Sequence, residues 1–314
     1  MPVLSKEDRL ALAEKRLCNV LRNHVVANAR TLEQKISDAG PHNQRIDPHV
    51  LTVARRALTA RGIVRAIPGK HCDWFHLSDS SPADVNRRLE EQQEIHQRIS
   101  EHQFTTRMGQ TLEIAVFKAL QSQPMNFFGS FRDLQQHDDS TIYSKVEPPE
   151  FVSGLPVAGG VLDFLIVSPE AGPAGLEVKN VREWLYPDRG EVRDLLVKCC
   201  SIAAVPVLIA RRIPFVTFRL LNACGVAMHE TFNQRFPFAD RDLAAAVANK
   251  HLLGYHDVRV GNEPDPRLLT FVTKNLPRVL VSSRSRFNKT RDLLAAYGSA
   301  EINYPAFAEK VKLS

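Results

Sequence analysis

Residues 159–181, GGVLDFLIVSPEAGPAGLEVKNV, constrain the fold more than any other stretch of the chain. Two apolar runs flank the turn-forming sequence SPEAG, which is the pattern of two core strands joined as a hairpin. Each run carries charge where a buried strand should have none: Asp163 in the first, Glu177 and Lys179 in the second. Successive strand side chains alternate between faces, so Glu177 and Lys179 project together while Val178 points away. A turn centred near Glu170 then sets Asp163 opposite Glu177. Directly opposed carboxylates repel, and burial increases the cost, so the pairing calls for positive charge between them. A hard divalent cation such as Mg²⁺ meets that need, since it takes one or two carboxylates together with waters and a substrate phosphate. Lys179, on the same face, is placed to orient or help deprotonate a water, or to stabilise charge developing on phosphate.

The 314 residues, 44% hydrophobic and 24% charged, suffice for two globular domains and exclude a disordered or fibrous chain. No apolar run approaches the roughly 18 residues of a membrane span, and MPVLSKEDRL lacks the apolar core of a secretory signal. A cytoplasmic protein with no membrane partner is expected. Cys18, Cys72, Cys199, Cys200 and Cys224 are odd in number and form no C-x-x-C pair, which argues for core-filling thiols over a zinc site or a disulfide framework. Residues 1–78 hold 13 Lys and Arg against 7 Asp and Glu, so the whole net charge of +6 sits there. Clustered positive charge favours a polyanion such as nucleic acid, although it serves solubility equally.

Within those 78 residues the spacing of Leu10, Leu17, Val20, Leu21 and Val25 predicts an amphipathic helix over 6–28. A second helix is expected from Thr31, where TLEQ reads as a capping box, and a third from Asp47-Pro48 to Gly62. IVRAI (63–67) and DWFHL (73–77) read as two short strands joined at Pro68-Gly69-Lys70. Three helices and a hairpin resemble a winged helix, which implies Arg55, Arg56 and Arg61 on the third helix, and Arg65 and Lys70 on the hairpin, as nucleic-acid contacts. The same arginines also read as a solvated helix face, and winged helices serve as protein-interaction modules too. Residues 79–103, charged and Gln-rich, read as a helical linker.

Around the hairpin, helix 104–123 carries the single carboxylate Glu113, followed by strand 126–131; helix 188–204 and strand 206–213 come after it. Asp163, fourteen residues, then Glu177-Val178-Lys179 in this setting resembles the D-x(n)-E-x-K core of the PD-(D/E)XK nuclease superfamily, over roughly residues 104–215. The resemblance implies an α/β chain: a restriction-endonuclease-like core, with a mixed central sheet flanked by helices, beside an N-terminal α+β winged-helix-like domain. It further implies Mg²⁺, with Mn²⁺ able to substitute, held by Asp163, Glu177, Glu113 and the Val178 carbonyl, and Lys179 acting on water or phosphate. The expected activity is hydrolysis of phosphodiester bonds in nucleic acid, DNA foremost, of the restriction, repair or anti-phage type. The departure is that Pro156 and Gly159-Gly160 precede Asp163 where the family has a Pro-Asp dipeptide. A non-catalytic nucleic-acid-binding or adaptor protein retaining such a fold is the competing expectation.

Lys198, on the helix after the hairpin, reads as a phosphate contact or a surface lysine. Glu183 and Trp184 border the expected groove, with packing the alternative for Trp184. Asp138 and Asp139 lie in a loop within reach of a metal, while His137 and His229 have no partner spacing of a ligand set. The division expected is 1–78, 79–103, 104–236 for the nuclease-like core, and a mostly helical extension over 237–314. Residues 225–236 suggest a strand added beside the core sheet, and Arg284, Arg286, Lys289 and Arg291, on a basic turn between helices, read as a grip on nucleic-acid backbone or equally as a solvated face. A homodimer is compatible, because cutting both strands commonly needs two sites.

Overall fold

The computed structural model describes residues 4–38, 44–135 and 139–313. The chain is mixed α/β and divides into two compact units: residues 1–105 with 240–258, and 106–239 with 259–314. Residues 79–103 and 240–258 thus group with the N-terminal part, where the sequence suggested a linker and part of a C-terminal extension.

The first unit opens with α1 (Lys6–His24), capped by the Ser5 side chain, which accepts from the Asp8 N–H. The helix stops earlier than its apolar spacing predicted, because Val25 turns to φ 65° and Val26–Asn28 form β1. Asn28, and not Thr31, starts α2 (Ala29–Ile36): its side chain accepts from the Thr31 N–H. Then come α3 (Pro48–Ala60), with proline in its first turn as expected, β2 (Val64–Ile67) and β3 (Trp74–Leu77). Strand β3 pairs antiparallel with both β1 and β2, giving a three-stranded sheet in the order β1-β3-β2. Leu17, Leu21, Leu32, Leu51, Leu58 and Phe75 fill the core beneath it. The next helix, α4 (Pro82–Ile99), is no free connector: its buried Gln92 donates Nε2 to the Val26 carbonyl of β1 at 3.0 Å.

The second unit is built on α5 (His102–Gln121) and a five-stranded sheet. β4 (Asn126–Phe128) is followed by two small hairpins, β5 (Ser130–Phe131) with β6 (Lys145–Val146) and β7 (Phe151–Val152) with β8 (Leu155–Pro156). The expected hairpin then appears as β9 (Phe164–Ser168) and β10 (Gly172–Lys179). Its turn closes by a bond from the Ala171 N–H to Ser168 Oγ, and Gly172 takes φ 70°. Helix α6 (Gly190–Ser201) returns the chain to β11 (Val205–Ala210), parallel to β10; α7 (Phe215–Ala223) leads to β12 (Ala227–Glu230), parallel to β11. The sheet order is β12-β11-β10-β9-β4, with β9 antiparallel to both neighbours.

Helix α8 (Arg241–Ala248) belongs to the first unit, and the chain then completes the second with α9 (Pro266–Thr270), α10 (Leu276–Gly298) and α11 (Tyr304–Leu313). The expected basic turn at 284–291 is instead the middle of α10. Arg284 there donates to the carbonyls of Ala171, Pro173 and Ala203 at 2.5, 2.6 and 2.8 Å, so it pins the helix to the hairpin turn and is committed to structure. Among the described residues, no helix is long and apolar enough to cross a membrane.

Candidate active site

Phe164 pairs with Leu176, so the next positions along the hairpin, Asp163 and Glu177, face each other as the turn predicted. Asp163 Oδ2 accepts from the Val178 N–H at 2.8 Å, which fixes its carboxylate at the end of the paired region. Glu177 and Lys179 share a face, with Lys179 Nζ 2.5 Å from Glu177 Oε2 and 3.9 Å from Asp163 Oδ2. Helix α6 covers this face. Lys198 on α6 reaches the second oxygen of Glu177, Nζ to Oε1, at 2.7 Å. Close approach of α6 depends on Gly175, two residues before Glu177 on the same face, where a β-carbon would stand 2.5 Å from Cys199 Sγ.

The residue the sequence did not single out is Lys145. Its Nζ lies 2.9 Å from Glu113 Oε2 on α5 and 3.0 Å from Asp163 Oδ1, with Glu147 Oε2 at 3.5 Å. Glu113, in the middle of α5, thereby joins Asp163 through an ammonium. Three carboxylates, Glu113, Asp163 and Glu177, meet three ammonium groups, Lys145, Lys179 and Lys198. Side-chain exposure ranges from 2% at Glu177 to 25% at Lys179, so Lys179 is the member most open to solvent.

The electrostatics follow from burial and these pairings. Burial and then the neighbouring Asp163 charge push the Glu113 carboxyl up to about 7, against the pull of Lys145. Glu177 is raised in the same way, by burial and then by Asp163. For Asp163 burial is the largest single influence and opposes ionisation. Lys145, Lys179 and the Val178 N–H together outweigh it and hold this carboxyl below its ordinary range. Burial works against the charge on Lys179 as well, yet Asp163 and Glu177 keep the ammonium protonated to higher pH than usual. Asp163 is thus the permanent anion of the cluster, and Lys179 is a hydrogen-bond donor.

The donor set suits a hard cation in kind: carboxylate oxygens of Glu113, Asp163 and Glu177, with no thiol or imidazole among them. Among the described residues no three His, Cys, Asp or Glu side chains converge as a metal-holding group, and the positive charge between Glu113 and Asp163 is the Lys145 ammonium.

Other candidates stand elsewhere. Asp139 accepts from Tyr143 Oη, from Asn262 Nδ2 and from the Phe238 N–H, so it ties its loop to two segments far along the chain and has a structural role. His137 and Asp138 lie outside the described residues. His229 stacks on Phe271, ring centroids 4.3 Å apart, and burial lowers its pKa to about 4, so it is a neutral packing residue. Trp184 is buried with the Arg212 guanidinium over its ring, and Glu183 is half-buried in the segment between β10 and α6. In the first unit Arg56, Arg61, Arg65 and Lys70 are exposed, Arg61 also pairing with Glu14 at 2.5 Å, whereas Arg55 lies over the Phe75 ring at 4.2 Å.

The chain matches no family model, no curated protein and no solved structure.

Proposed function

We propose that the second unit is a metal-dependent nuclease of the PD-(D/E)XK kind and that its substrate is nucleic acid, DNA foremost. The observation that carries this reading is the meeting of Glu113, Asp163, Glu177 and Lys179 in one partly shielded cluster at the end of the β9–β10 hairpin. The order of elements supports it: helix α5, strand β4, the acid-bearing hairpin, helix α6 and parallel strand β11 follow the helix, antiparallel strands, helix and strand of that superfamily's core. In the first unit, the sequence helix, strand, helix, helix, strand, strand with sheet order β1-β3-β2 supports a winged helix. Its exposed Arg56, Arg65 and Lys70 suit phosphate contacts.

Asp163, Glu177 and Glu113 would hold Mg²⁺ or Mn²⁺, with the Val178 carbonyl as a further oxygen. Such an ion supplies a water of lowered pKa and positive charge at the phosphate. Lys179, protonated and the most exposed member, donates from Nζ to the attacking water or to a phosphate oxygen, which stabilises negative charge as it develops. Lys198 holds Oε1 of Glu177 and so orients that carboxylate. Asp163→Asn, Glu177→Gln and Lys179→Ala are each expected to abolish metal-dependent cleavage while leaving nucleic-acid binding largely intact. Full activity in one of the three would remove that residue from the mechanism.

A further inference from the structure

We infer that Lys145 is a built-in counter-ion of the carboxylate cluster, holding Glu113 and Asp163 together until a divalent cation takes its place. This rests on the nuclease reading above and adds to it a residue that lies on β6, outside the helix, hairpin, helix and strand that carry the resemblance. Two ion pairs at 2.9 and 3.0 Å place the ammonium between Glu113 Oε2 and Asp163 Oδ1. A hard cation engaging both carboxylates must come within about 2.0–2.6 Å of their oxygens. An ammonium held at 2.9 and 3.0 Å from these two carboxylates would repel a cation brought that close to the same pair, so the two positive charges compete for them.

Lys145 also has somewhere to go. Glu147, two residues on, already lies 3.5 Å from Nζ, and its side chain is 44% exposed. Rotation about the flexible four-carbon stem exchanges two shielded partners for one at the surface. Neither of the other lysines is arranged this way: Lys198 bonds to Glu177, and Lys179 lies closest to Glu177 with Asp163 at 3.9 Å. In the metal-free protein Lys145 spares Glu113 and Asp163 an uncompensated repulsion, and the work of displacing it lowers the affinity for metal.

Titration calorimetry of the full chain with Mn²⁺, and separately with Ca²⁺, tests this on the wild type, Lys145→Met and Lys145→Arg. Lys145→Met should bind about tenfold tighter or better, since it removes a competing charge next to the ligands, and Lys145→Arg should not. Thermal unfolding gives a second readout: without metal Lys145→Met should melt below the wild type, and Ca²⁺ should raise its Tm by more than it raises the wild type's. If Lys145→Met does not fold, Lys145→Gln, which keeps a donor, takes the same comparison. Unchanged or weaker affinity, with equal Ca²⁺ effects on Tm, overturns the role of Lys145 and leaves the nuclease reading standing. Absence of metal binding in every variant and in the wild type overturns both.

Discussion

Glu177 is 2% exposed on a core strand, and its two oxygens are each taken by a lysine. Truncating it to alanine would leave Lys179 and Lys198 without their closest partner, and removing one member of such a buried pair costs about 3–5 kcal/mol. Glu177→Gln keeps the shape and an oxygen acceptor, so it should cost clearly less; urea unfolding of both variants compares them. Glu113 sets a pH dependence. Its carboxyl binds a proton more tightly in the folded chain, so its contribution to stability is fully present below about 4.5 and is lost as the pH rises through about 7. Glu113→Gln should flatten that part of the Tm-versus-pH curve measured in EDTA, and an unchanged slope would mean that Glu113 is ionised throughout. Much of this cluster was readable in the sequence, because turn position and strand alternation are enough to bring Asp163, Glu177 and Lys179 together. Lys145 was not readable, since a two-residue strand in an irregular stretch has no periodicity to reveal where its side chain goes.

Among the elements, β10 and α6 are held together by the absence of a side chain. At Gly175 a β-carbon would stand 2.5 Å from Cys199 Sγ and 2.9 Å from a Leu162 methyl. Gly175→Val should therefore destabilise the second unit by about 1–3 kcal/mol, as overpacking commonly does, and it should loosen the Lys198–Glu177 pair with it. Thermal unfolding measures the first effect, and a stability equal to wild type would show that α6 can shift without cost. A helix with a proline start and strands built on apolar runs were legible: α3, β9, β10 and β11 lie within a few residues of their expected places. β1 was not, because Val26 and Ala27 continue the apolar character of α1 and become a strand only through pairing with β3. The long α10 was expected to break at its basic stretch, but Arg284 directs its charge to three carbonyls and the helix runs on.

The molecule as a whole is two compact units, and its excess charge is confined to residues 1–78. On the winged-helix reading the exposed Arg56, Arg65 and Lys70 are the phosphate contacts to test first; Arg61 is exposed as well but pairs with Glu14, and Arg55 is packed on Phe75. Replacing all three by alanine should weaken DNA binding across sequences and reduce the salt dependence of log K by about one for each phosphate that is no longer neutralised. An unchanged salt slope would turn the first unit toward a protein partner. The positive balance of residues 1–78 was legible from composition alone, whereas the return of the net-acidic residues 240–258 to this unit was not, because no local pattern announces so distant a pairing.

On the proposed reading the charged cluster on the β9–β10 hairpin cuts nucleic acid with the help of a metal. Incubation of supercoiled plasmid with the purified protein in Mg²⁺, in Mn²⁺ and in EDTA, beside Lys179→Ala, tests it most directly. Nicking or linearisation that requires the metal and disappears in the variant is the predicted result. Cleavage that survives EDTA, or that Lys179→Ala performs as well as wild type, would contradict it.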